Sequence, residues 1–62
     1  MNLNDDPILT VRQVAEYLQL SKSKIYYMIQ RGTIPHVRLG KNVRIRHSQL
    51  IKWLEERSEN TH

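Results

Sequence analysis

Two short amphipathic stretches stand only three residues apart near the start of the chain, and that spacing limits the fold more than any other feature. In the first, Val11, Val14, Ala15 and Leu18 recur at the helical period, while Arg12, Gln13, Glu16 and Gln19 fall outside their stripe. Thr10 is a good N-cap, and Gln13 three residues on completes a capping box. Leu9 and Val14 occupy the two positions of a hydrophobic staple. These signals predict a helix over about Val11 to Leu18. In the second stretch Ile25, Met28 and Ile29 form the apolar stripe, Ser21 is the N-cap and Leu20 pairs with Ile25 as a staple. Gly32 is a stop signal and Pro35 follows it, so this helix runs from about Lys22 to Arg31. The connection Gln19-Leu20-Ser21 is short enough to describe a helix-turn-helix.

The period then changes. His36-Val37-Arg38-Leu39 and Val43-Arg44-Ile45-Arg46 alternate strictly, and Gly40-Lys41-Asn42 between them reads as a hairpin loop. This predicts one face with Val37, Leu39, Val43 and Ile45, and an opposite face with His36, Arg38, Arg44 and Arg46. A lone hairpin is marginal in water, so its apolar face must dock on the helices. A last helix is expected from about Gln49 to Arg57, capped by Ser48, with Leu50, Ile51, Trp53 and Leu54 on its apolar side. The order predicts a mainly α chain with a small β-hairpin: a winged helix-turn-helix with a two-stranded wing and a C-terminal helix. Residues 1–8 read as a disordered polar leader, 9–57 as the folded domain and 58–62 as a flexible tail.

Size and composition narrow the function classes. With 62 residues and no cysteine, the chain is one domain without a disulfide or thiolate metal site. Phe is absent, so the core is expected to be aliphatic with Trp53 and some Tyr. No run of about 18 apolar residues would span a membrane, and no signal peptide is expected from the opening residues. These features point to a small soluble protein of a reducing, cytoplasmic compartment. His36, His47 and His62 lack the spacing of a metal site, and no nucleophile–base set or paired carboxylate stands out. We expect neither catalysis nor a cofactor.

Charge is the positive signal. Residues 22–47 carry Lys22, Lys24, Arg31, Arg38, Lys41, Arg44 and Arg46 and no acid, for a net +7. The flanks 1–21 and 48–62 sum to −2 and −1. A solvated surface ordinarily mixes both signs, so this block reads as a surface for a polyanion. On the second helix the buried stripe leaves Ser23, Tyr27 and Gln30 on the opposite face, flanked by Lys24, Tyr26 and Arg31. A recognition helix uses its N-terminal residues on base edges, which here are Ser21, Lys22 and Ser23. Ser21 is first an N-cap, and the amides beside it offer a seat for a phosphate. Lys22 and Lys24 fit a phosphate contact or a solvated face. Tyr26 fits a ring on the core with its hydroxyl outward. Tyr27 is an outward aromatic on a polar face, which contact with DNA would explain. In the wing, Arg38, Arg44 and Arg46 suit phosphates or a narrow minor groove, with Lys41 and Asn42 at the tip. Trp53 reads as core.

The segments LTVRQVAEYL (9–18), LSKSKIYYMI (20–29), RGTIP (31–35), VRLGKNVRI (37–45) and QLIKWL (49–54) cover about three quarters of the chain. Together they resemble the excisionase-type DNA-binding domain, a small winged-helix module related to the mercury-resistance regulator (MerR) superfamily. The chain departs from that pattern at Gln19, where Gly is usual, and at Lys24, where Thr is frequent. A left-handed backbone at Gln19 would cost about 1 kcal/mol. The resemblance implies binding to double-stranded DNA by a nucleoid-associated factor of a mobile element, one that bends DNA and sets the direction of a site-specific recombinase (integrase). About five phosphate contacts would give a salt slope of roughly −4 to −5. A monomer in solution that assembles as a cooperative multimer on DNA fits so small a module. The alternatives are a small transcription regulator with the same DNA-binding mode, a basic protein-interaction adaptor, and an RNA binder using Tyr17, Tyr26 and Tyr27.

Overall fold

Each helix begins and ends where a specific backbone group finds a partner. The computed structural model describes residues 6–58, in the order β1 (Ile8–Thr10), α1 (Val11–Leu18), α2 (Lys22–Arg31), β2 (Val37–Leu39), β3 (Asn42–Arg46) and α3 (His47–Arg57). At the start of α1 the Thr10 hydroxyl accepts from the Gln13 amide at 3.0 Å, and Gln13 Oε1 accepts from the Thr10 amide at 2.9 Å. The expected capping box is therefore formed. α1 stops because Gln19 turns left-handed, at φ 59 and ψ 44. The Gln19 and Leu20 amides then donate back to the carbonyls of Glu16 and Ala15, a Schellman closure. α2 ends the same way at Gly32, φ 72, with Thr33 N–H on the Met28 carbonyl. Glycine takes that backbone freely, whereas Gln19 takes it at a cost of about 1 kcal/mol.

The core gathers the two predicted helical stripes and the sheet. Val11, Val14, Ala15, Ile25, Ile29, Ile34, Ile45 and Leu50 are buried together, and no polar side chain is buried among the described residues. Leu9, Leu18, Met28, Val43, Trp53 and Leu54 pack around them. Trp53 is only partly buried, and its Nε1–H donates to the Thr33 carbonyl at 2.7 Å. Arg57 covers the indole at 4.5 Å from the ring centroid. This pins α3 to the segment that leaves α2.

The sheet differs from the expected wing in two respects. First, it has three antiparallel strands in the order β1-β3-β2. Ile8 pairs with Arg46 and Thr10 with Arg44, so the folded part begins inside the segment read as a disordered leader. Residues 1–5 of that leader, and 59–62 of the expected tail, lie outside the described residues. Second, the hairpin turn is two residues long, Gly40-Lys41, and Asn42 belongs to β3. Gly40 alone takes positive φ there, at 66, which is the pattern of a type II′ turn with glycine first. Shortening the loop by one residue changes which side chains share a face. Val37 opposes Arg44, Arg38 opposes Val43 and Leu39 opposes Asn42.

The expected partition of the ribbon is thereby corrected. Leu9, Val43 and Ile45 share the core-facing side with Arg38. Ile8, Val37 and Leu39 share the outer side with Arg44 and Arg46. The start of α3 is corrected as well. The helix begins at His47, and Ser48 is its second residue rather than its cap. β3 runs into α3 without a linker, so Arg46 stands at the cap position and makes no side-chain cap bond. The free amides are satisfied from the other end of the chain. Asp6 Oδ1 accepts from Ser48 N–H at 2.8 Å, and the Pro7 carbonyl accepts from His47 N–H at 2.9 Å. The chain is a winged helix-turn-helix, mainly helical, with its hairpin extended to three strands by β1.

Candidate nucleic-acid interface

α2 is built to present its polar side. Ile25 and Ile29 are buried and Met28 is half-buried, which turns Lys22, Ser23, Lys24, Tyr26, Tyr27, Gln30 and Arg31 to solvent. Ser21 Oγ accepts from Lys24 N–H at 3.1 Å and caps the helix. The Lys22 and Ser23 amides then have no acceptor inside the helix, which leaves a weakly positive end beside two lysines. The first turn carries no acid. Tyr26 and Tyr27 are 54% and 53% exposed, so both rings are mostly wet. Arg31 stands 5.7 Å from the Tyr27 ring centroid, one turn on, in a cation–π arrangement that holds both groups on the outward face.

The wing supplies the second group of cations, divided between its two sides. Lys41 is exposed in the turn and Asn42 opens β3 beside it. Arg44 is half-buried on the outer side, and its Nη1 donates to the Val43 carbonyl at 2.9 Å. Arg46 lies on that side too, but Asp6 Oδ2 stands 3.8 Å from its guanidinium. Arg38 is exposed on the other side. The three arginines expected on one face are therefore two and one.

Among the described residues only Arg12 and Arg46 form ion pairs, with Glu16 and Asp6. Lys22, Lys24, Arg31, Arg38, Lys41 and Arg44 have no carboxylate partner there. The cap of α3 shifts the acidity of Asp6. The Ser48 backbone N–H holds its carboxyl below the ordinary value of 3.8, and the charges of Arg46 and His47 act in the same direction. Asp6 belongs to the α3 cap and not to a catalytic pair. The two described histidines are engaged separately: His36 Nδ1 lies 2.9 Å from the Ile34 carbonyl, and His47 packs edge-on to Tyr17 at 5.9 Å between ring centroids.

A family model described as a helix-turn-helix domain matches residues 8–58. The chain belongs to this helix-turn-helix family. Its matched span starts at the first residue of β1 and ends one residue past α3, so it takes in the strand that the sequence pattern does not signal. Two proteins of Mycobacterium tuberculosis are similar to it: "Putative DNA-binding protein MT0521" of strain CDC 1551 / Oshkosh and "Putative DNA-binding protein Rv0500A" of strain ATCC 25618 / H37Rv. Each is 33% identical over 48 residues, which is 77% of this chain and 62% of the relative. The helix-turn-helix chain thus spans about three fifths of the length of the curated relatives it matches. No solved structure matches it.

Within this helix-turn-helix domain the sequence identifies the exposed residues of α2 and misses two features. Leu39, expected on the apolar face, is 58% exposed. Its exposure depends on the length of the turn, which strict alternation on either side leaves undefined by one residue. Asp6 lies in a polar leader with no local pattern, and its partner is 42 residues away.

Proposed function

We propose that this chain binds double-stranded DNA sequence-specifically, with α2 in the major groove and the wing against the adjacent backbone and minor groove. The observation that carries this reading is the charge on α2 and the wing: six cations without a carboxylate partner among the described residues, on a stretch free of acid from Tyr17 to Leu54. Phosphates are the ligands such a surface selects, and a helix face with Ser23, Tyr27 and Gln30 between lysines and arginine adds groups able to read base edges. The helix-turn-helix family and the names of the two mycobacterial relatives support duplex DNA over an acidic protein. No side-chain arrangement described above suits catalysis, and we assign a non-enzymatic role in the cytoplasm.

Within DNA binding, we favour an architectural factor of the excisionase type that sets the direction of a recombinase, working as several copies on neighbouring sites. One α2 helix covers few base pairs, so useful specificity needs repeated sites, a bend or a protein partner. Selection from a random duplex library, with sequencing of the bound fraction, tests this. Enrichment of one short motif is expected, and regularly spaced tandem copies would favour the architectural role over a local transcription regulator. Binding without enrichment, confined to low salt, would reduce the surface to a generic cation patch and overturn the reading.

A further inference from the structure

Leu39 is the most exposed large hydrophobic residue among those described. Single exposed leucines are ordinary on protein surfaces, so its company has to carry the argument. Leu39 ends β2 at the tip of the wing, directly before the Gly40-Lys41 turn. Across the pair it faces Asn42, and Arg44 is its diagonal neighbour on the same side. On that side its near neighbours are thus Asn42, Arg44 and the half-buried Val37, with Lys41 in the adjoining turn. The two-residue turn enforces this exposure, because a loop longer by one residue would turn Leu39 toward the core face.

An exposed apolar side chain beside two cations at the tip of the wing matches one feature of duplex DNA. The minor groove is about 6 Å wide, is walled by the carbon-rich faces of deoxyribose and is edged by two rows of phosphates. It excludes a helix and admits a single side chain, and apolar residues are used there as contacts or wedges. We propose that Leu39 is the apolar contact of the wing with DNA, seated against deoxyribose in the minor groove while Lys41 and Arg44 meet the flanking phosphates. This deepens the DNA reading above and rests on it.

The test compares wild type with Leu39→Ala, Leu39→Met and Lys41→Ala on a duplex taken from the selection. Leu39→Ala is expected to weaken binding about fivefold with an unchanged salt slope, because an apolar contact releases no counterions. Lys41→Ala should flatten the slope by about 0.9. Leu39→Met should bind nearly as wild type. Hydroxyl-radical footprinting should show a short run of deoxyribose protected by wild type and open with Leu39→Ala. Wild-type affinity for Leu39→Ala, or a footprint that does not change, overturns the proposal while leaving the DNA reading intact. So does a wild-type dimer in sedimentation that Leu39→Ala dissociates, since Leu39 would then serve contact between copies. Wild-type protein that selects no duplex defeats the DNA reading itself. Melting curves of the free variants should superimpose on wild type, as expected for a residue this exposed.

Discussion

The salt dependence of DNA binding follows directly from the placement of the cations. On α2 and the wing, six cations lack a carboxylate partner among the described residues: Lys22, Lys24, Arg31, Arg38, Lys41 and Arg44. The register puts Arg38 on the core-facing side of the wing and Arg44 on the outer side with Leu39 and Asn42. On the proposed reading, a duplex resting on the outer side would engage Arg44 and leave Arg38 in solvent, so five phosphates would be neutralised. Each contributes about −0.9 to the slope of log affinity against log salt, for a total near −4.5. Raising KCl from about 50 to about 200 mM should then weaken binding roughly five-hundredfold. Fluorescence anisotropy of a labelled duplex, titrated at several salt concentrations, measures this. Arg44→Ala should flatten the slope by about 0.9 and weaken binding similarly on all sequences, whereas Arg38→Ala should leave the slope in place. A slope shallower than about −2 would remove α2 and the wing from the phosphates. A flattening by Arg38→Ala with none by Arg44→Ala would show that the other side of the sheet meets DNA, and the reasoning from register would fail.

Three further outcomes are expected. Tyr27→Ala should lower the ratio of selected-site to scrambled-site affinity about tenfold while changing scrambled-site affinity little; equal losses on both would show that Tyr27 is not a reader. Gln19→Gly should raise Tm by about 3 °C, because relief of about 1 kcal/mol of left-handed strain is only partly offset by the greater freedom of glycine in the unfolded chain; a lower Tm would mean that the turn is unstrained. Asp6→Ala should melt below wild type at neutral pH. Because folding lowers the Asp6 pKa, that stabilisation is present above 3.8 and is lost as pH falls through the lower folded value, so the two melting curves should converge there; a gap that persists in acid would place the effect elsewhere.

What the sequence makes legible here is local, and what it conceals depends on contacts distant in the chain. Both helices of the helix-turn-helix begin and end where the sequence puts them, because Thr10 with Gln13, Ser21 and Gly32 are caps that act within a few residues. The stripes Val11-Val14-Ala15 and Ile25-Met28-Ile29 face inward as their period requires. β1 is three residues at the end of a polar segment, and it becomes a strand only by pairing with β3, more than thirty residues away. The start of α3 misleads for a related reason. Ser48 carries a capping side chain, but strand pairing continues to Arg46, and Asp6 and Pro7 take over the free amides. The site follows the same division. The outward residues of α2 follow from one helical period, whereas the sides of the wing hinge on whether Asn42 is turn or strand, and a single residue of parity separates Arg38 from Arg44.

The non-local part also fixes where the wing stands relative to the helices. A two-stranded hairpin is marginal alone, and its tip could not be aimed by its own hydrogen bonds. Here both strands that flank the core run into helices without a spare residue. Thr10 ends β1 and caps α1, and Arg46 ends β3 and stands at the cap of α3. The sheet therefore cannot rotate relative to α1 without breaking the capping box, or relative to α3 without losing Asp6 and Pro7 from its first turn. α2 is fixed to α1 in turn by the Gln19 closure and by the packing of Ile25 and Ile29 in the shared core. Each junction is weak by itself, but in series they hold the wing at one angle to α2. On the proposed reading, a duplex with α2 in its major groove would meet Leu39, Lys41 and Arg44 in a fixed position, without the ordering cost that a free hairpin would add on binding.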